Sequence, residues 1–180
     1  MWKEGRFIMP QHLQLLDTYH EDLLDRRLNA LGSHVWGVSE VAIDKDELSR
    51  GIFQLNSCTA VMPDGALVQI GKDHRLKGLM AKISGTLTGG DRSLEIDLGV
   101  PSADLGGVAM DVTASGARFL HEAVTVTDVY DTTREAEQDC VRPNAQLLVS
   151  EESRQNYVAF KLAELSLDET GHLSVEEGYI

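Results

Sequence analysis

Cysteine and proline are scarce in this sequence, with two and four among 180 residues. Cys58 and Cys140 stand far apart, each in an apolar or β-like run, so buried free thiols are expected and a disulfide framework is not. Aromatic residues make up 6%, thin material for the exposed ring platform of a ligand- or carbohydrate-binding sandwich. Basic residues are outnumbered, 16 Lys and Arg against 29 Asp and Glu, for a net charge of −13. Nucleic-acid binding needs clustered cations and is disfavoured. The acidity falls in scattered pairs, such as Glu21–Asp22, Glu151–Glu152 and Glu176–Glu177. That pattern reads as a solvated, repulsive surface rather than a specific basic partner's seat.

Long hydrophobic runs are also missing. The longest fall well short of the ~20 residues that cross a bilayer, so no direct membrane insertion is expected. Met1-Trp2-Lys3-Glu4 lacks the basic, apolar and small-residue order of a secretory signal. These features together predict a cytoplasmic protein. Hydrophobic residues at 42% and charged residues at 25% fit one globular domain spanning 1–180, large enough to bury a core unaided.

One helix is predicted, over about residues 10–31. Leu13, Leu16, Leu23, Leu24, Leu28 and Leu31 recur at helical spacing, with His20 and Arg27 on or beside the stripe. Pro10 suits the first turn, and Gly32 can take a left-handed C-terminal position. The remainder reads as β. Ser93–Val100 and Arg118–Asp128 alternate, and Tyr157–Leu167 is apolar on both sides. Val35–Ile43 and Gly51–Met62 are further strands. Pro63-Asp64-Gly65 is a turn into Ala66–Ile70, and Asp168-Glu169-Thr170-Gly171 closes a hairpin into Leu173–Glu176. The fold class that follows is mainly β, an antiparallel β-sandwich with an N-terminal arm and one α-helix. Gly71–Arg92 carries no clear pattern, and Ser102–Ala117 reads as a long loop.

Chemistry-bearing constellations are few. His12 and His20 flank Asp17 on the helix, but zinc helices place histidines at i and i+4. Cys58 lies in a strand-like run rather than at a helix N-terminus, so a structural thiol is favoured over a nucleophile. No Gly-x-Ser-x-Gly elbow, phosphate loop or dinucleotide fingerprint is present, and Gly89-Gly90-Asp91 and Gly106-Gly107 read as turns. No catalytic residue, metal or cofactor is expected. Trp2, Phe7, Ile8 and Met9 form an apolar arm before the helix, and Trp36 is assigned to the core.

The arm and helix carry a recognisable pattern. Trp2-Lys3-Glu4-Gly5-Arg6-Phe7-Ile8, Pro10-Gln11-His12-Leu13-Gln14, Asp17 and Tyr19 resemble the opening of the TssK family, also called ImpJ or VasE. The likeness continues through Arg27, Trp36-Gly37, Pro63-Asp64-Gly65, Arg142-Pro143-Asn144, Leu147-Leu148 and Tyr157. Arg6 and Ile8 depart from the family's usual Met and Leu. The resemblance implies a type VI secretion baseplate component that is not an enzyme, with this chain as its N-terminal shell domain. It further implies a homotrimer whose helical neck and C-terminal head lie outside this chain. The partners it implies are the wedge proteins TssF and TssG, with the membrane complex reached only through the head. On that reading Trp2, Phe7, Ile8 and Pro10 are apolar interface anchors and Gln11 and His12 satisfy polar groups beside them. Asp17 and Tyr19 would fix the helix against the sandwich or a neighbour.

Overall fold

The computed structural model describes residues 7–32, 35–71, 79–82, 93–102, 116–149, 154–167 and 173–176. The chain divides into two units, Met1–Trp36 and Gly37–Ile180. In the first, α1 covers Pro10–Leu31, the span that its leucine spacing predicts. Its start is closed by a reciprocal pair: the His12 N–H donates to the Met9 carbonyl at 2.9 Å, and the Met9 N–H donates to His12 Nδ1 at 3.1 Å. Gly32 does not take the expected left-handed form; it is extended, at φ −155° and ψ 153°. The last intrahelical bond runs from the Gly32 N–H to the Leu28 carbonyl at 3.2 Å, and the extended Gly32 then carries the chain out of the helix. Trp36 is not a core residue either, being 44% exposed.

The second unit holds the sandwich. One sheet joins β1 (Gly37–Ile43), β2 (Ile52–Val61) and β3 (Leu67–Ile70), with β4 (Leu79–Lys82) also on β2. The other runs β10 (Leu173–Val175), β9 (Tyr157–Leu167), β5 (Ser93–Pro101), β8 (Gln146–Leu148). β6 (Phe119–Thr127) and β7 (Glu135–Pro143) form a two-stranded ribbon of their own. All these pairings are antiparallel. Phe53, Leu55, Met62, Val68 and Ile70 from the first sheet share one buried cluster with Ile96, Leu98, Val100, Leu162 and Leu165 from the second. β3 and β4 lie in line along the same edge of β2, on Cys58–Val61 and Ile52–Leu55 respectively. The 71–92 stretch without a clear pattern thus supplies β4, and its residues 72–78 and 83–92 lie outside the described set. So do 103–115 of the expected long loop, both glycine-pair turns, and the Asp168–Gly171 turn, although Leu167 pairs with Leu173 as its hairpin requires.

Two strands change the face they bury. In β2, Phe53 and Leu55 point inward, and then Cys58, Ala60 and Met62 just after it do so on the other parity. Ala42 pairs with Ser57 but Ile43 with Leu55, which leaves Asn56 as the extra residue. In β9, Ile96 faces Ala163 and Asp97 faces Lys161, leaving Leu162 unmatched. A one-residue offset flips every later side chain to the opposite face. That is why 157–167 is apolar on both sides in a strand with one buried face.

Short elements absent from the sequence reading fill the joints. α2 (Lys45–Leu48) is capped by Asp44, whose carboxylate accepts from the N–H groups of Asp46 and Glu47 at 3.0 and 3.2 Å. Those bonds, that to Glu47 first, hold the Asp44 carboxyl below its ordinary range. The helix places Leu48 in the core. At the Pro63–Gly65 turn, Gly65 sits at φ 84°, which favours glycine.

The base of the ribbon is clasped to both sheets. Arg118 donates to the Pro101 carbonyl at the end of β5 (2.9 Å) and to Asp64 in the β2–β3 turn (2.7 Å). The buried Asn144 donates through its side chain to the Ala117 carbonyl at 2.8 Å and through its backbone to the Arg118 carbonyl at 2.9 Å. Gln146 bonds Asn144, and the Tyr157 hydroxyl donates to Gln146 at 2.9 Å. Pro63-Asp64-Gly65, Asn144 and Tyr157, read separately along the sequence, meet in this one network.

On the other face of β5, Asp97 is buried at 2% exposure. Arg154 binds both its oxygens, one at 2.9 Å, and reaches Glu95 at 2.9 Å, while Lys161 also holds Glu95. Burial raises the Asp97 carboxyl, and Arg154 recovers only part of that rise. Lys161 and then Arg154 hold Glu95 below its usual range.

Two outcomes follow. Asn144→Ala leaves the buried Ala117 carbonyl without its donor and should cost about 1–3 kcal/mol in urea unfolding. Amide exchange should then rise more across Phe119–Pro143 than across Ile52–Val61; an equal rise would assign Asn144 to the core alone. Arg154→Ala strands the Asp97 charge and should cost about 2–3 kcal/mol at pH 7.5, less than for a fully buried pair because Arg154 is partly exposed. A carboxyl raised in the folded state contributes stability at low pH that is lost as pH rises through its folded value, so the loss should shrink at pH 5. Glu95 loses Arg154 but keeps Lys161, and its share of the loss also shrinks toward acid, because a lowered carboxyl's contribution fades as pH falls. Equal losses at both pH values would mean that Asp97 does not depend on Arg154.

Candidate docking surfaces

Several groups that could carry chemistry are shielded or partnered. Among the described residues no three His, Cys, Asp or Glu side chains are grouped to hold a metal ion. Cys58 is buried, and burial with the nearby Glu40 charge pushes its thiol up to about 11. A thiol so placed stays protonated and shielded at neutral pH. His20 stacks edge-on against Tyr19, with ring centroids 5.6 Å apart. Asp97 is committed to Arg154.

Among the described residues, two surfaces stand open. The first is the arm and α1, a helix in which no residue is buried. Phe7 is 90% and Ile8 66% exposed, and Leu13, Leu15, Tyr19, Leu24, Leu28 and Leu31 are exposed as well. Of the residues singled out from the sequence, Pro10, Gln11 and Asp17 lie at the helix surface and His12 is half-buried at its start. Trp2 falls outside the described residues. Pro10 to Tyr19 thus share one helix, with Phe7 and Ile8 leading into it.

The second surface escaped the sequence reading. β6 and β7 pair over nine positions, from Phe119–Pro143 to Thr127–Glu135, a ribbon about 30 Å long at ~3.4 Å per residue. Alternation sorts its faces. Leu120, Val124, Val126, Ala136 and Cys140 share one face, with Glu122 paired to Arg142 at 3.3 Å. Glu135, Glu137 and Asp139 line the other, where His121 contacts Asp139 at 2.9 Å. At the tip, Asp128 accepts from the N–H groups of Tyr130 and Asp131 at 2.7 and 3.1 Å. Asp131 accepts from the Thr133 N–H and hydroxyl and pairs with Arg134 at 3.0 Å. This ordered loop leaves Val129 86% and Tyr130 100% exposed. The signal was the aspartate spacing at 128 and 131, which marks a tight turn after an alternating strand.

A family model described as "Bacterial Type VI secretion, VC_A0110, EvfL, ImpJ, VasE" matches residues 12–180. A curated relative, the type VI secretion system baseplate component TssK1 of Pseudomonas aeruginosa, is 40% identical over 73 residues, 41% of this chain and 16% of that protein. A cryo-electron microscopy structure of the TssK-TssF-TssG baseplate subcomplex matches with a TM-score of 0.88 at 20% identity, over 100% of this chain and 60% of its counterpart. A structure of the baseplate complex from the type VI secretion system matches at 0.85 and 22% identity, over 100% of this chain and 40% of the other. At those identities the structural likeness is one of fold, and this chain spans only part of each relative. The family pattern, however, runs from His12 to Ile180, so the chain belongs to the bacterial type VI secretion family that includes ImpJ and VasE.

Proposed function

We propose that this chain is the N-terminal shell domain of a type VI secretion baseplate subunit, and that it acts by docking rather than by catalysis. In the full-length protein the domain would sit in a homotrimer, continue into a helical neck and a C-terminal head, and bind the wedge proteins TssF and TssG. The head would reach the membrane complex, placing the assembly in the cytoplasm at the inner membrane. The observation that carries the docking role is the arm and α1: 22 residues of helix with none buried, preceded by an exposed Phe7-Ile8 pair. Exposed apolar side chains sharing one face of the helix, Leu13, Leu24, Leu28 and Leu31, support an interface, where large side chains carry most of the binding energy. Trp2, Phe7, Ile8 and Pro10 are the proposed anchors. Gln11, His12, Asp17 and Tyr19 are their polar and aromatic surround. Belonging to a secretion family and sharing a fold with TssK chains solved beside TssF and TssG both support this assignment.

The test is co-purification of this chain with TssF–TssG from the same genome. Phe7→Ala with Ile8→Ala should weaken capture about thirtyfold, the effect of losing ~2 kcal/mol at a hot spot, with unchanged β-sheet circular dichroism. Unfolding of the double variant would instead place these residues in the core. Full capture by a folded double variant would remove the arm from the interface.

A further inference from the structure

We infer that the β6–β7 ribbon is a second docking element, separate from the arm and α1, and that it receives a protein surface rich in Lys and Arg with an apolar seat for Tyr130. Among the described residues the ribbon pairs with no other strand. A lone two-stranded ribbon is marginal in water and gains from a cover. Its distal half is exposed, yet its base is fastened at Arg118 and Asn144 to both sheets. Its tip is ordered before any partner arrives, with Asp128 and Asp131 bonding the loop that holds out Val129 and Tyr130. A tyrosine offered whole to solvent from a fixed loop loses little freedom on binding, which is the property of an anchor.

Charge selects the occupant. Glu135, Glu137 and Asp139 repeat every second residue on one face of β7, about 7 Å apart. Of the three, only Asp139 has such a side-chain contact among the described residues, to the His121 ring at 2.9 Å. Nucleic acid and anionic lipid are repelled by such a row. A second copy packed two-fold on this face would bring the same row against itself and set like charges together. A basic protein surface relieves the repulsion and leaves Tyr130 free to fill a pocket.

The test uses the full-length subunit in cells that carry the intact secretion system, with Tyr130 replaced by p-benzoylphenylalanine. Ultraviolet light should join position 130 to a different polypeptide, and the joined peptide should lie within a Lys- and Arg-rich surface. Glu135→Lys with Glu137→Lys should lower the yield roughly tenfold, and 0.5 M salt should lower the parent's yield likewise. The neutral pair Glu135→Gln and Glu137→Gln should fall between, with circular dichroism confirming that each variant is folded. Three results would overturn the inference: an adduct only between copies of this subunit, an adduct indifferent to charge reversal, or none. The same probe at position 8 reports on the arm, so loss of either surface is read apart from the other.

Discussion

A strand in a sandwich ordinarily gives every second side chain to solvent, and the core of this domain depends on two strands that break that count. β2 and β9 each carry one unmatched residue, Asn56 and Leu162, so that apolar residues of both parities face inward. The offset in β2 lets Phe53 and Leu55 share a core with Cys58, Ala60 and Met62. It also divides the strand's outer edge, with β4 on the first half and β3 on the second. The offset in β9 sets Lys161 across from Asp97, on the face where Arg154 holds Asp97 and Lys161 holds Glu95.

How much could be read from the sequence follows from what burial does to it. α1 was legible end to end because 22 residues of leucine spacing leave little ambiguity. β9 was legible in extent, yet its doubled apolar pattern needed the bulge to make sense. β7 was invisible: Glu135, Ala136, Glu137, Gln138 and Asp139 are all exposed, and a strand that buries neither face has no alternation to show. α2, with four residues, is too short for a period, and only its aspartate cap marked it. Trp36 reads as core from its place beside Gly37 where the helix meets the first strand, yet it is 44% exposed, because position along the chain does not fix what packs over a side chain. The clasp was present in the sequence as three unrelated fragments, and their meeting around Asn144 is a long-range fact that no local pattern carries.

Cys58 is buried and Asp97 is paired with Arg154, while Phe7, Ile8, Val129 and Tyr130 stand exposed. The two open surfaces differ in kind. The arm and α1 offer broad apolar area, suited to strong and lasting burial. The ribbon offers one aromatic point with a charged flank, suited to steering and register. On the proposed docking, one surface would supply strength and the other orientation.

The clasp at Arg118 also has a mechanical meaning. A pull on the tip of the ribbon travels down β6 and β7 together and arrives at Ala117–Arg118 and Pro143–Asn144. Arg118 passes that load to the Asp64 turn of one sheet and to the end of β5 in the other. The sheets are joined through the shared core, so the force meets both layers at once rather than peeling an edge strand from one. The ribbon thus behaves as a handle riveted through two plates.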